Sequence, residues 1–478
     1  MATAIDSLRR AMGQMMRTEP VLGAPAMREA EAALMARGQS ALDLMKQAGT
    51  AVAEFVWRMA AGRPVTILCG PGDNGGDGFI IADELVRRGL DLTVVAPLGT
   101  KSDTATAARR IYDGAIDSEW KKRPGGVFVD CLVGVGQTRE LGDGLSQLLR
   151  SMHESHALAI AVDCPSGIDS DTGHLLGSCI SYDLTVAIGA WKPAHFLMPA
   201  MARMGMLRLA DIGIVADAAM RLAQRPRLHP PESGSHKYTR GLLAIVGGEM
   251  PGAGLLAAQA AMRSGAGYVK LFASHSHPDA PAELVIVEAP LDEALDDGRI
   301  SALLVGPGLG RGEGATHRLR QALALARPCV IDADGLALLR PEMLQTRETQ
   351  TILTPHEGEL QVLGDRLSLP GTGAKHLRAQ ALAKASRSLV IAKGPDTVIA
   401  SPDGEIIFCP PATSWLSTAG SGDVLAGMIA SRLATGIDAV AAAEQGCALH
   451  AAAARLAGPA FTAGMLADRA ADAWASLS

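Results

Sequence analysis

The stretch VTILCGPGDNGGDGFIIADELVRRG, residues 65–89, decides how the first half of the chain folds. A mostly apolar run of five residues, long enough for a buried strand, leads into Gly70-Pro71-Gly72-Asp73-Asn74-Gly75-Gly76-Asp77-Gly78, and a helical pattern follows at once. A glycine-rich turn between a strand and a helix presents backbone amides and a helix N-terminus to an anion, so a phosphate-bearing ligand suits it. A tight turn alone would need fewer glycines, and it would need neither Asn74 nor Asp77. Working outward, VTILC at Val65, LTVVA at Leu92, VFVD at Val127 and LAIAVD at Leu158 alternate with helix-like segments, which predicts a parallel sheet with crossover helices. From residue 213 to about 235 this periodicity gives way to a stretch interrupted by Pro226, Pro230 and Pro231. Beyond it LLAIVGG, ALLVGPG, CVIDADG, TILTP and LVIAKG repeat the theme. Two α/β domains are expected, residues 1–225 and 226–478, each with a ligand site where glycine-rich and acidic motifs follow the strands.

Length and composition agree with that division. A chain of 478 residues exceeds what one hydrophobic core usually organises. The formal charge of -6 and an aromatic content of 3% speak against a nucleic-acid binder and for a small-molecule partner. Seven scattered cysteines without a Cys-x-x-Cys pair fit the reducing cytoplasm, and a catalytic thiol is not expected. The opening MATAIDSLRR does not read as a secretory signal, and no stretch reads as a membrane span.

Three acidic loops carry candidate chemistry. Asp130 in VFVDCLVGVGQ and Asp163 in AVDCPSGIDSDTG stand at strand ends, where a carboxylate beside a ligand can act as a base or bind a cation, or can simply cap a helix. Ser166 lacks a Gly-x-Ser-x-Gly elbow, so oxygen ligation is a better reading than nucleophilic attack. In the second half, Ser417-Thr418-Ala419-Gly420-Ser421-Gly422-Asp423 precedes the helix VLAGMIASRLATG. Glycine amides there can neutralise a transferred phosphoryl group while Asp423 takes a proton from the attacking hydroxyl. His275 and His277 have no third ligand nearby and are expected to face solvent.

Gly70 to Gly78, DCLVGVG and DCPSGIDSDTG together resemble the NAD(P)H-hydrate epimerases. LAIVGGEMPGAGLLAAQAAMRSGAGYVKL, LLVGPGLG, VIDADGLALL, LTPHEGEL, IAKGPDTVIA and STAGSGD resemble, in order, the ADP-dependent NAD(P)H-hydrate dehydratases. The resemblance implies a Rossmann-like three-layer α/β/α domain followed by a ribokinase-like α/β/α domain. In the first, it implies a K+ site on Asn74, Asp130 and Ser166, and a hydrate site on Asn74, Gly75, Gly76 and Asp77. Gly134, Val135, Gly136, Gln137, Thr138, Arg139 and Glu140 would close over that hydrate, with Asp163 as its acid or base. Asp73 stands where the family often carries asparagine, and an acid beside a phosphate cradle should turn its side chain away. In the second domain the hydrate would meet Ala253, Gly308, His356 and Asp423. The adenine nucleotide would meet Lys393, Gly394, Pro395, Asp396 and Thr397 together with Thr413, Ser417, Thr418, Ala419, Gly420, Ser421 and Gly422. Gly335, Glu357 and Ser421 replace a common alanine, proline and threonine without removing a group the chemistry requires.

The activity so implied is metabolite repair: epimerisation of the R and S hydrates of NADH and NADPH, then dehydration of the S hydrate. ADP would be the donor, Mg2+ would assist, and the products would be NAD(P)H, AMP and phosphate. The implied partners are these hydrates and ADP, without nucleic acid or membrane, in a homo-oligomer. The competing reading is a ribokinase-like vitamin or sugar kinase fused to a non-catalytic nucleotide- or protein-binding domain. It leaves Asn74, Asp130, Asp163 and Ser166 without a shared purpose.

Overall fold

Strand β1 (Val65–Cys69) is buried along its whole length, and its side chains divide between two cores. Val65 and Ile67 face one, with Val52, Val56, Phe79 and Leu85. Leu68 faces the other, with Phe128, Leu149 and Met152. That alternation makes it a central strand covered on both faces, as period-two geometry requires. The fold is described here from a computed structural model for residues 19–121 and 125–478; the stretch MATAIDSLRR lies outside the described residues.

The chain divides into two compact units, the first ending at Leu222 and the second beginning at Ala223. In the first, β1 is joined by β2 (Leu92–Val95), β3 (Ile116–Asp117), β4 (Gly125–Cys131), β5 (His156–Val162), β6 (Leu184–Ile188) and β7 (Met206–Ala210). These form one sheet in the order β3-β2-β1-β4-β5-β6-β7. Every neighbouring pair is parallel, with Leu68 of β1 paired both to Val95 and to Asp130. The chain leaves β1 toward one edge and returns at β4 toward the other, so a crevice opens between the carboxyl ends of β1 and β4. Helix 41–60, which covers one face, starts with a capping box in which Ser40 and Asp43 satisfy each other's backbone amides. A short strand β8 (Met220–Leu222) ends the unit.

The second unit repeats the design. Its strands are β9 (Leu242–Val246), β10 (Tyr268–Phe272), β11 (Val285–Val287), β12 (Ile300–Val305), β13 (Cys329–Ile331), β14 (Thr351–Leu353), β15 (Leu389–Ala392), β16 (Val398–Ala400) and β17 (Ile406–Phe408). They are ordered β11-β10-β9-β12-β13-β14-β15-β16-β17, parallel as far as β15 and antiparallel for the last two steps. Leu242, Ala244 and Val246 pack under Leu319 and Leu360 on one face, while Leu243 and Ile245 meet Ala257, Leu425 and Ile429 on the other. Here the switch point lies between β9 and β12. Among the described residues no helix is long and apolar enough to cross a membrane.

Helix Ser421–Ala434, whose first turn carries Gly422 and Asp423, packs against helix Pro251–Met262 at backbone distance. A Cβ at Gly427 would lie 2.2 Å from the Ala257 carbonyl oxygen, so a methyl group there must push the two helices apart. Gly427→Ala is therefore expected to destabilise the second unit by about 1–3 kcal/mol, the usual cost of overpacking. Loss of amide-exchange protection in both helices at a lower urea concentration would register it; unchanged protection would contradict the packing argument.

Candidate functional site

In the first unit the two switch-point loops press directly on each other. A Cβ at Gly70 would sit 1.7 Å from the Leu132 carbonyl oxygen, and the Gly70 amide donates to the Cys131 carbonyl at 2.9 Å. Asn74 lies on the first turn of helix Asp73–Arg87, close enough to Gly134 that a Cβ there would be 3.1 Å from the Asn74 side-chain carbon. Both Oδ1 and Nδ2 of Asn74 are buried without a hydrogen-bond partner. Leaving a buried amide unsatisfied costs about 1–3 kcal/mol, so this one points to a ligand.

Asp130, buried at the end of β4, accepts hydrogen bonds from the Leu132 amide at 3.0 Å, the Ser166 amide at 3.1 Å, the Ser166 hydroxyl at 2.9 Å and the Tyr182 hydroxyl at 2.5 Å. Burial pushes its carboxyl above the usual range, and those donors pull it back part of the way. The Ser166 Oγ also accepts from the Val133 amide at 3.1 Å, so residues 132–134 string Asp130, Ser166 and Asn74 along one short segment. This cluster offers oxygen donors of the kind a monovalent cation takes. Of the segment beyond, Gln137 is buried and accepts from the Gly167 amide at 2.8 Å, whereas Gly136, Thr138, Arg139 and Glu140 are exposed and Val135 is half-buried.

The remaining expected groups divide. Gly75 turns toward the Gly70 carbonyl, and Gly76 instead packs against Met45. The Asp73 carboxylate accepts from the Ser102 hydroxyl at 2.5 Å, which occupies it away from the loop amides. Asp77 is buried, and its carboxyl is pushed well above the usual range by burial, then by the charges of Asp163, Asp73 and Glu31. Asp163 follows β5 with φ of 65°, a left-handed conformation uncommon for a residue other than glycine. Its carboxylate is ion-paired to Lys192. The sequence reading missed Lys192, His195, Tyr182 and Glu31. Lys192 sits in the apolar run AIGAWKPAHF after a strand that was not predicted, and the position of a lysine inside such a run was the available signal.

The second unit gathers its groups in the same way. A Cβ at Gly308 would lie 3.4 Å from the Ala253 Cβ and 2.0 Å from the Met250 carbonyl oxygen, which puts the loops after β9 and β12 side by side. The glycine loop is held from behind. The Ser421 hydroxyl donates to the Leu416 carbonyl at 2.8 Å, and His450 Nε2 donates to the Ser421 carbonyl at 3.0 Å. Burial pushes the His450 imidazole down to about 4, so at neutral pH it serves as an uncharged donor. Thr413 accepts from the Trp415 amide at 3.4 Å and Ser417 donates to the Ser414 carbonyl at 2.7 Å, bracing the approach to the loop. Ala419 is exposed, and Thr418 accepts from the Ser421 amide at 3.3 Å.

Lys393 brings its ammonium to this loop, since a Cβ at Gly422 would lie 3.5 Å from Nζ. The same ammonium donates to Asp332 at 2.6 Å, and Asp332 also accepts from the Thr354 hydroxyl at 2.7 Å. Burial opposes the Lys393 charge, but Asp332, Glu359 and Asp423 together hold it above its ordinary value. Asp423 is raised to about 7, first by burial and then by the Asp332 carboxylate, with Lys393 pulling the other way. His356 caps helix Glu357–Arg366 by accepting the Gly358 and Glu359 amides at Nδ1, while its Nε2 lies 3.6 Å from the Glu359 carboxylate and the ring stays exposed. The turn from Lys393 to Thr397 is closed by the Thr397 hydroxyl donating to the Gly394 carbonyl at 2.8 Å. Gly394 and Pro395 are exposed, whereas Asp396 is turned inward onto Lys375 at 2.6 Å. Lys375 also donates to the Lys393 carbonyl at 3.0 Å, so it clamps the turn; it, Asp332 and His450 escaped the sequence reading. Among the described residues no three His, Cys, Asp or Glu side chains gather into a metal cluster.

Residues 41–194 match the family described as YjeF-related protein N-terminus, and residues 243–475 match the family described as NAD(P)H-hydrate dehydratase. The chain is similar to the bifunctional NAD(P)H-hydrate repair enzyme Nnr of Mycobacterium leprae, at 34% identity over 452 residues, covering 90% of this chain and 92% of that one. It is also similar to the Synechocystis protein of the same name, at 31% identity, covering 87% and 86%. A solved structure of the ADP/ATP-dependent NAD(P)H-hydrate dehydratase from Bacillus subtilis, co-crystallised with ATP and Mg2+, is 29% identical. It covers 53% of this chain and 95% of its own with a TM-score of 0.46. Similarity running through both units, at these identities and over nearly the full length of the relatives, makes this chain a member of the family of bifunctional NAD(P)H-hydrate repair enzymes.

Proposed function

We propose that the unit ending at Leu222 interconverts the R and S hydrates of NADH and NADPH, and that the unit beginning at Ala223 dehydrates the S hydrate at the expense of ADP. The observation that carries the reading is a pair of aspartates, Asp163 and Asp423, each at a switch-point site of its own sheet and each beside a buried lysine. Family membership accounts for the pairing of the two chemistries.

In the second unit the hydroxyl on ring carbon six is a poor leaving group until it is phosphorylated. Asp423 takes the hydroxyl proton as that oxygen attacks the β-phosphoryl of ADP, and AMP departs. The Gly420 to Gly422 amides and the Lys393 ammonium beside them stabilise the charge that develops on the transferring phosphoryl; the 3.5 Å between Nζ and a Cβ at Gly422 supports the pairing. The ring nitrogen then expels phosphate, which carries away the hydroxyl oxygen, and loss of the proton on carbon five restores the double bond. His356 and the Ala253 and Gly308 surfaces orient the hydrate, while the turn at Lys393 to Thr397 and the loop at Thr413 to Gly422 set the depth of the adenosine. Mg2+ on the nucleotide phosphates would neutralise charge in the manner usual for phosphoryl transfer.

Because dehydration handles one stereochemistry, the other epimer accumulates unless the first unit interconverts them. There Asp163 moves protons at the hydrated ring, and the amides of the Gly70 to Gly78 loop receive the dinucleotide phosphates. K+ would be held by Asn74, Asp130 and Ser166, to which it would supply the counter-charge; the unsatisfied Asn74 amide fits that role.

Paired substitutions test the assignment. Asp423→Asn should lower phosphate release from the S hydrate and ADP by about a hundredfold or more, the scale of general-base catalysis, while interconversion of R and S persists. Asp163→Asn should do the reverse, as chiral separation of the hydrates would record. Near wild-type phosphate release in the first variant, or near wild-type interconversion in the second, removes that aspartate from the mechanism.

The pH dependence follows from the raised Asp423 carboxyl. A base must be ionised, so kcat/KM for dehydration should fall as pH drops through about 7, and this acid limb should vanish in the residual activity of Asp423→Asn. A profile flat down to pH 5 would contradict it. For the donor, matched ADP and ATP should give faster turnover with ADP and release AMP. A kinase would instead leave a stable phosphorylated product without regaining the absorbance of the reduced nicotinamide.

A further inference from the structure

Asp163 is gripped from several sides by residues around β6. Its amide donates to the Val186 carbonyl at 2.8 Å, and its carboxylate accepts from the Ile188 amide at 3.1 Å and from the Lys192 ammonium. His195 completes the hold. The Lys192 backbone amide donates to His195 Nδ1 at 2.9 Å, so the ring proton must sit on Nε2, which donates to the Asp163 carbonyl at 2.9 Å. Burial pushes this imidazole down to about 4, which keeps that tautomer neutral. The left-handed backbone of Asp163 is thus locked by a ring that is itself locked by Lys192.

The two ends of the ion pair face different surroundings. The Lys192 side chain is 0% exposed, whereas 14% of the Asp163 side chain remains open. Besides Asp163, the ammonium donates to the Ile188 carbonyl at 2.8 Å, so it is turned into the protein. The carboxyl groups it acts on are Asp163 after β5, Asp77 on helix Asp73–Arg87 and Glu31 on helix Ala24–Ala36; Asp73 acts in turn on Asp77 and Glu31, and Arg28 on Glu31. His195 is neutral. Among the described residues this buried ammonium thus acts on three carboxyl groups, and of these only Asp163 is bonded to it.

We propose that Lys192 is the positioning residue for epimerisation: it supplies the counter-charge and the aim of the Asp163 carboxylate without touching the hydrate itself. The inference rests on the role of Asp163 given above. Without that ammonium, repulsion from Asp77 and Glu31 would turn the Asp163 carboxylate out of the place in which Lys192 and the Ile188 amide hold it. The ion pair is buried, so replacing Lys192 by a neutral residue leaves a charge uncompensated and should also weaken the first unit.

The test uses the full chain with Lys192→Gln and Lys192→Arg, following R and S hydrates by chiral separation. In Lys192→Gln, kcat for interconversion should fall about a hundredfold with KM changed less than about threefold. Lys192→Arg keeps the charge but shifts its point of contact. It should recover about tenfold or more of that loss. Amide exchange in β4 and β5 reports whether the first unit is folded. Should Lys192→Gln fail to fold, Lys192→Arg alone decides, with kcat lowered about tenfold and KM retained. Wild-type kcat in a folded variant, or a loss carried entirely by KM, overturns the proposal. Asp163→Asn separates the two claims: if it interconverts the epimers normally, the role of Asp163 itself is wrong. If it is inactive while Lys192→Gln matches wild type in rate, the role of Lys192 alone is wrong.

Discussion

Both sites depend on backbone meeting backbone at the end of a central parallel strand. At Gly70 the hypothetical Cβ overlaps the Leu132 carbonyl, and at Gly306 it would lie 1.8 Å from the carbonyl oxygen of Asp332. Parallel neighbours bring their carboxyl ends to one edge of the sheet, and a reversal of strand order keeps crossover helices from filling the gap. Any side chain at these glycines would wedge the strand ends apart, and the loops carrying Asn74 and Asp130, or Met250 and Asp332, would lose their mutual placement. The amides that can receive an anion are thus a consequence of how closely the strands must end.

The second shared feature is a buried lysine paired to an aspartate at the working end of each sheet: Lys192 with Asp163, and Lys393 with Asp332. The two pairs are used differently. In the first unit the lysine is wholly enclosed and its aspartate reaches the crevice. In the second the aspartate is enclosed, held also by Thr354, and the lysine reaches the glycine loop. The more open partner is thus the carboxylate in the first pair and the ammonium in the second. Asp423, bonded to neither, keeps the raised proton affinity that a base for a hydroxyl near neutral pH requires.

Support from behind matters as much as the groups in front. His195 and His450 are both buried, neutral and spent on a single backbone carbonyl, one at Asp163 and the other at Ser421. Lys375 ties Asp396 and the Lys393 carbonyl together, so the nucleotide turn presents Gly394 and Pro395 outward while its acid is consumed inside. Asp396, expected at the nucleotide, is ion-paired to Lys375 within the turn.

Sequence by itself determined the two α/β units, their central strands and the glycine loops, because period-two apolar runs and glycine clusters are local signals that survive any arrangement of the rest. It also brought forward Asn74, Asp130, Asp163 and Asp423, whose motifs are contiguous and whose spacing carries the family resemblance. The edge strands β3, β7 and β11, and β10 inside β11, were not legible, since short or half-exposed strands lack a full apolar run. Neither was β6, though it is fully buried. Lys192, Asp332, Tyr182 and His450 acquire their partners at the two candidate sites only in the tertiary structure. Each reaches its partner across about twenty or more residues of chain, and a lysine's or histidine's role is set by which carboxylate or carbonyl the fold brings to it, a relation that no local pattern encodes.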